Sequence, residues 1–196
     1  MYYYKIALIL TFCFLTKGCI RKTYYMSSGK IKEKYYINPI NGNKSGEYIL
    51  FSFTGDTLQV GLYKRNLLNG PFISYFENGK VQVESNCLNG LLNGIQREYY
   101  INGKLRSEVL FSENRLWEII TACDSTGKLV DFGNIKNGSG IARKYYADGS
   151  LEYQGSFFNG LRDGKWYFFS NTGILIDSIV YSDGNGSNFN IKDNTY

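Results

Sequence analysis

The stretch Gly94-Ile95-Gln96-Arg97-Glu98-Tyr99-Tyr100-Ile101-Asn102-Gly103-Lys104-Leu105 decides how this chain folds. Asn-Gly is a tight-turn dipeptide, because glycine enters the left-handed backbone region without steric cost. The adjacent tyrosines before it suit a strand better than a helix. Read alone, the stretch predicts a β-hairpin with a type I′ turn, and a lone hairpin is barely stable in water. The fold therefore depends on whether the pattern recurs.

It recurs six times. Turn glycines stand at Gly55, Gly79, Gly103, Gly127, Gly149 and Gly173, spaced by 24, 24, 24, 22 and 24 residues. Nine residues before each come Gly46, Gly70, Gly94, Glu118, Gly140 and Gly164. Four before come Phe51, Tyr75, Tyr99, Cys123, Tyr145 and Phe169, and two after come Thr57, Val81, Leu105, Leu129, Leu151 and Leu175. Eight after come Tyr63, Cys87, Phe111, Ile135, Phe157 and Tyr181, and eleven after come Asn66, Gly90, Asn114, Gly138, Gly160 and Gly184. Each repeat reads as strand, tight turn, strand, and a second turn into the next hairpin.

The fold class expected is all-β: an elongated, single-layer antiparallel β-meander of about six 24-residue hairpin repeats. Neighbouring repeats bury each other's aromatic columns, as in a solenoid. At the spacing of paired strands the array should extend roughly 55–60 Å. Repeat four is the irregular one, with Glu118 in a glycine column, Cys123 in an aromatic column and two residues missing, so a bulge or kink is expected there. Gly29 to Glu33 looks like the second half of a degraded repeat. The domain reading is 1–18 signal peptide, 19–45 tether and half repeat, 46–184 repeat array, and 185–196 tail; within the second part, residues 20–28 read as a short tether.

Composition bounds the function. The 196 residues include 18 Tyr, 13 Phe and 22 Gly but only 2 Pro, which is too aromatic for a disordered chain. The net charge of +5 is scattered rather than gathered in a stripe, so no nucleic-acid partner is expected. There is no histidine. That removes the commonest general acid–base, the usual partner of a nucleophilic Ser or Cys, and the commonest metal ligand. No enzyme activity, cofactor or metal is expected.

The N-terminus reads as an address. A basic start at Lys5, an apolar run from Ile6 to Leu15, and Thr16-Lys17-Gly18-Cys19 suit a secretory segment too short to span a bilayer. Its end resembles a bacterial lipoprotein signal, which implies lipidation of Cys19 and a lipid-anchored place in the cell envelope, on the periplasmic or outer-membrane side. A cleaved signal without lipid, giving a secreted protein, and an uncleaved anchor stay open as alternatives.

The pattern Gly-x-x-x-x-Tyr-Tyr-x-Asn-Gly-Lys-Leu of residues 94–105, which returns at 140–151 and in part at Gly164-Lys165-Trp166-Tyr167, resembles the MORN repeat in its bacterial variant. The resemblance covers residues 46–184 and implies a non-catalytic interaction module that binds or scaffolds another macromolecule. It also implies two alternatives, an antitoxin or immunity protein neutralising a toxin, and a lipid- or glycan-binding module. A protein is the favoured partner, with membrane lipid or glycan after it; the oligomeric state is not determined.

Other chemistry reduces to structure. Cys87 and Cys123 stand in apolar columns two repeats apart, about 10–15 Å by strand spacing, so they are expected to be buried free thiols. Gly160-Leu161-Arg162-Asp163-Gly164-Lys165 lacks the spacing of a phosphate loop and joins two strands. Glu84 and Glu108 share a column, which suggests a solvated row rather than a glycosidase pair. Tyr75, Tyr99, Tyr145 and Phe169 are expected in the core. Their neighbours Phe76, Tyr100 and Tyr146 point to the opposite face, where an exposed row would form a binding strip, with Trp166 at the end of the array.

Overall fold

A computed structural model describes residues 18–188. The expected signal segment, apart from Gly18, lies outside the described residues, as do 189–196 of the expected tail. Strands follow one another as β1(Ile20–Tyr25), β2(Ile31–Ile37), β3(Lys44–Phe51), β4(Thr57–Lys64), β5(Leu67–Tyr75), β6(Val81–Leu88), β7(Leu91–Leu92), β8(Gly94–Tyr99), β9(Leu105–Ser112), β10(Arg115–Ala122), β11(Gly140–Tyr145), β12(Leu151–Phe158), β13(Leu161–Phe169), β14(Leu175–Ser182) and β15(Asn185–Asn188). The all-β, antiparallel hairpin-meander reading is borne out.

Both turn columns do what glycine and asparagine allow, but the type I′ turn expected at the turn glycines is not found there. At the turn glycines the N–H of Gly79 bonds to the carbonyl of Phe76, and the N–H of Phe76 bonds to Lys80. Gly79 has φ +77°, while Glu77 and Asn78 keep negative φ. That is a three-residue loop, a type I turn followed by a left-handed glycine and a bulge. The same pair of bonds recurs at Gly55, Gly103, Gly127, Gly149 and Gly173. The two-residue type I′ turns lie between repeats instead. There Arg65/Asn66, Asn89/Gly90, Glu113/Asn114, Asn137/Gly138, Asn159/Gly160 and Asp183/Gly184 all have positive φ at both positions.

A long-range bond closes each repeat. The N–H of the second residue of each type I′ turn donates to the carbonyl at the start of its own hairpin: Asn66 to Lys44 at 3.0 Å, Gly90 to Leu68 at 2.7 Å, Asn114 to Leu92 at 2.9 Å, Gly160 to Gly138 at 2.7 Å, Gly184 to Arg162 at 2.9 Å. In repeat four the donor Gly138 reaches Trp117, one residue out of register, at 2.8 Å. Where the donor is asparagine its side chain adds a return bond, Lys44 N–H to Asn66 Oδ1 and Leu92 N–H to Asn114 Oδ1, each 2.6 Å.

The described chain divides into two compact units. In the first, β1 to β5 pair in chain order, all antiparallel. Residues 20–28, expected as part of the tether, form β1 and a full turn with Gly29 bonded to Met26, so the degraded half repeat is a complete hairpin. In the second, residues 82–85 of β6 lead through β8 and β9 to β10, and a separate sheet runs β11-β12-β13-β14-β15. The single layer expected is thus broken at repeat four. The glycine nine residues before the turn has positive φ in the other five repeats, from +68° to +134°. Glu118 does not take that conformation, which costs an L residue with a Cβ about 1–2 kcal/mol. Instead β10 carries two register shifts, at Leu116/Glu118 and Ile119/Thr121. After Cys123 the pairing falls to isolated bridges, Cys123–Leu129, Gly133–Ala142 and Lys136–Ser139. The expected tail begins as β15 on β14.

The two sheets of the second unit share a core of Leu116, Ile135 and Ala142, with Val109, Phe111, Ile119 and Phe157 packed on it. Further along, Trp166 is fully buried, its indole N–H donating to Ser156 at 3.0 Å, with Phe157 at 5.2 Å and Tyr153 at 5.4 Å between ring centroids. It lies directly over Gly155, where an added Cβ would stand 2.2 Å from the ring. Gly155→Ala should cost about 3 kcal/mol by overpacking and shift the tryptophan fluorescence. Gly149→Ala, at φ +88° with open space around it, should cost about 1–2 kcal/mol of backbone strain and leave that fluorescence alone. Urea denaturation and emission spectra compare the two, and equal costs with unchanged emission would refute the glycine–indole packing.

Candidate functional site

The concavity of the second unit lies between its two sheets. It is a cleft of about 190 Å³ whose apolar wall is the core itself, Val109, Phe111, Leu116, Ile119, Ala142 and Phe157. Polar groups join this lining from Glu98, Tyr100, Arg106, Lys144, Tyr145 and Tyr153.

The break in repeat four creates this site. Arg106 stands three residues past its turn glycine in repeat three, and Glu152 stands three past its own in repeat five. Glu98 and Lys144 likewise occupy one column, five before the turn, in the same two repeats. In a flat sheet these pairs would be four strands apart, about 19 Å. Here Arg106 Nη2 is 3.1 Å from Glu152 Oε2 and Lys144 Nζ is 4.0 Å from Glu98 Oε2. With the second strand of repeat four missing, repeats three and five face each other across the cleft.

Arg106 is the main tie. Its guanidinium also donates to the carbonyl of Tyr145 at 3.0 Å and lies 5.6 Å from the centre of the Tyr100 ring. Tyr100 is nearly buried, and its hydroxyl donates to the carbonyl of Cys123 at 2.9 Å. Arg143 pairs with Asp131 at 2.7 Å, and the Tyr145 hydroxyl donates to the carbonyl of Asp131 at 2.8 Å. These bonds hold residues 123–132 against β9 and β11 although they form no strand.

The expected binding row is therefore not an exposed strip. Phe76 and Tyr146 are half-buried, Tyr100 is 9% exposed and Trp166 0%. Tyr146 repeats the role of Tyr100 two repeats along, donating to the carbonyl of Phe169 at 2.8 Å. The physical reason is the wide turn. At Tyr100 and Tyr146 the three-residue loop tucks the ring onto the following repeat, where its hydroxyl meets a backbone carbonyl. Of the four residues only Tyr100 lines the cleft. Cys19 is half-buried just before β1. Cys87 and Cys123 are both free thiols; Cys87 is buried, which pushes its pKa up, and Cys123 is half-buried and lines the cleft. Arg106, Glu98, Lys144 and Glu152 were missed. Their signal was opposite charge in one column on either side of the irregular repeat.

The row of Glu84 and Glu108 is fully paired rather than simply solvated. The Tyr99 hydroxyl donates to Glu84 at 3.0 Å, and Arg97 Nε donates to Glu108 at 2.8 Å.

Three stretches of the chain match the MORN repeat variant family. They are residues 68–87, 92–113 and 139–159, which fall in register on repeats two, three and five. No curated protein matches the chain. Among solved structures, one described as "Crystal Structure of TarM" aligns with 82% of this chain and 22% of its own, at 14% identity and a TM-score of 0.20. At that score nothing about fold or function transfers.

Two outcomes follow for the cleft. Arg106→Met should lower stability by about 1–2 kcal/mol, because Glu152 loses its charge-assisted partner. Adding Glu152→Leu should restore part of that loss, and purely additive costs in the denaturation cycle would show the pair is not coupled. Burial first, then the bond to Glu84, raises the Tyr99 phenol to about 12, while Tyr100, Tyr145 and Tyr153 are raised chiefly by burial. A phenol raised in the folded state holds its proton there after the unfolded chain has lost it. For Tyr99 the associated stability is thus intact below about pH 10, the unfolded value, and lost as pH rises through about 12. Ultraviolet titration of phenolate should show a late-ionising class of tyrosines that disappears in urea.

Proposed function

We propose that this chain is a non-catalytic, repeat-type binding module that seizes an apolar side chain of a protein partner in the cleft of its second unit. The observation that carries this reading is the size and lining of the cleft. Pockets for cofactors and drug-sized ligands run about 300–1,000 Å³. A cleft of about 190 Å³ with an apolar wall suits one anchoring side chain, the usual centre of a protein interface. Its charges favour a protein over an anionic membrane, since the cations of its lining, Arg106, Arg143 and Lys144, are each matched by a carboxylate. The matches to the MORN repeat variant support a repeat-type binding module.

On this reading Cys19 carries a lipid that holds the module at a bacterial envelope membrane. The support is the sequence before it, a basic start and a short apolar run from Ile6 to Leu15, followed by Thr16-Lys17-Gly18-Cys19. A toxin as partner would make the protein an antitoxin or immunity factor, and a structural envelope protein would make it a scaffold.

A photo-crosslinking residue at Gln96, which lines the cleft, should capture one protein in cells. The same residue at Lys80, in an exposed turn of the first unit, should not. Val130→Trp, which fills the cleft from its irregular wall, should abolish capture while the circular dichroism stays that of a β protein. Capture that survives Val130→Trp would overturn the assignment. For the anchor, Cys19→Ala should move the protein from the membrane to the soluble fraction and stop incorporation of a fatty-acid analogue.

A further inference from the structure

In the first unit, four successive strands each contribute one tyrosine: Tyr24 from β1, Tyr35 from β2, Tyr48 from β3 and Tyr63 from β4. Tyr24 and Tyr35 stack at 5.4 Å and 13°, while Tyr48 and Tyr63 meet edge to face at 5.5 Å and 69°. Into this group projects the ammonium of Lys44. Its Nζ lies 4.1 Å from the centre of the Tyr35 ring, 5.0 Å from Tyr48 and 5.5 Å from Tyr63. One carboxylate oxygen, Glu33 Oε2, stands 4.0 Å away, at the outer limit of an ion pair.

The chemistry of this site does not match its occupant. A lysine ammonium is strongly hydrated and has three N–H groups to place. The surroundings give it three ring faces and one distant carboxylate, which is an aromatic cage. Ring faces plus a carboxylate outside contact distance are what a fully alkylated ammonium requires, because it has no N–H and a low cost of leaving water. The second unit shows the contrast. Arg162 takes the corresponding place in repeat six, 4.3 Å from the Trp166 ring, 5.3 Å from Tyr181 and 5.9 Å from Tyr153. There Nη1 donates to the Tyr181 hydroxyl at 2.9 Å, and the indole beneath is fully buried. Arg162 is pinned by a hydrogen bond. Lys44 is held by ring faces and a long ion pair, with 31% of its side chain exposed, so it can swing into water at little cost.

We infer that the tyrosine cage of the first unit is a binding site for a quaternary ammonium group, with Lys44 as a displaceable internal occupant. The ligand class is a trimethylammonium carried on a larger molecule. Glu33 supplies the counter-charge, Tyr35, Tyr48 and Tyr63 supply the faces, and Lys44 sets the affinity by competing. An occupant that fills the cage nine-tenths of the time weakens apparent binding about tenfold. The site shares no residue with the cleft and stands or falls separately.

The test titrates the full chain with choline, following tyrosine resonances by NMR. A saturable shift of the first-unit tyrosines is expected. Lys44→Met keeps the stem and removes the charge, and should tighten binding about tenfold. Tyr48→Leu should lose it. The neutral isostere 3,3-dimethyl-1-butanol should not compete. No saturable shift in either the wild-type chain or Lys44→Met would overturn the proposal, and so would equal binding of the neutral alcohol. Should Lys44→Met fail to fold, the wild-type titrations with choline and the alcohol still decide.

Discussion

Each repeat is closed by a single backbone bond, from an N–H in left-handed conformation at its end to the carbonyl at its start. The bond spans 22 residues in the regular repeats, as from Asn66 to Lys44 or Gly184 to Arg162. A lone hairpin is marginal, and here the closing bond adds to the strand pairing between successive hairpins, such as β4 with β5 and β12 with β13. The closing bond brings the hairpin's start to the turn that begins the next hairpin. Register then passes from one repeat to the next without reference to side chains. The requirement on sequence is narrow, a residue able to take φ above zero eleven places after the turn glycine, and asparagine or glycine stands there in all six repeats.

Failure of the pattern at one point gives the second unit its form. Glu118 cannot follow the left-handed path that glycine takes at the same place in the other five repeats, and β10 absorbs the misfit as two bulges. Closing still occurs, but shifted by one residue to Trp117. The next strand then fails to form, and repeats three and five approach across the gap. Arg106–Glu152 and Lys144–Glu98 fix that approach. Beside them stands the shared core of Leu116, Ile135 and Ala142. A local steric fault thus becomes a concavity with a charged rim, which an unbroken antiparallel layer does not contain.

This order of causes explains how much the sequence revealed. The glycine columns showed the class, the period, the hairpins and the weak repeat, because backbone conformation at glycine is a local property. The turn types were not legible from Asn-Gly alone. Residues such as Glu77 and Asn78 could have entered a two-residue loop, and the bond from Gly79 to Phe76 settles the wider one. That choice decides the fate of Tyr100 and Tyr146, since the wider loop tucks these rings against the next repeat. Period-two alternation had placed them on the free face. The cleft was illegible for a different reason. Arg106 and Glu152 are 46 residues apart, and only the collapse of the intervening strand brings them together.

The column eleven residues before each turn glycine shows how the same scaffold separates core from site. It holds Leu68, Leu92 and Leu116 in repeats two to four and Gly138 in repeat five, but Lys44 in the first and Arg162 in the last. A leucine there can be covered by rings from repeats on both sides. In repeats one and six a long cationic side chain stands there instead, able to lay its stem on the rings while its head reaches water. The two repeats give it different partners. At Arg162 the fully buried Trp166 and the Tyr181 hydroxyl leave the guanidinium no freedom. At Lys44 there is no indole and the head group meets only phenol faces and Glu33. The placement that pins a guanidinium in repeat six therefore leaves, in repeat one, rings whose preferred guest carries no N–H at all.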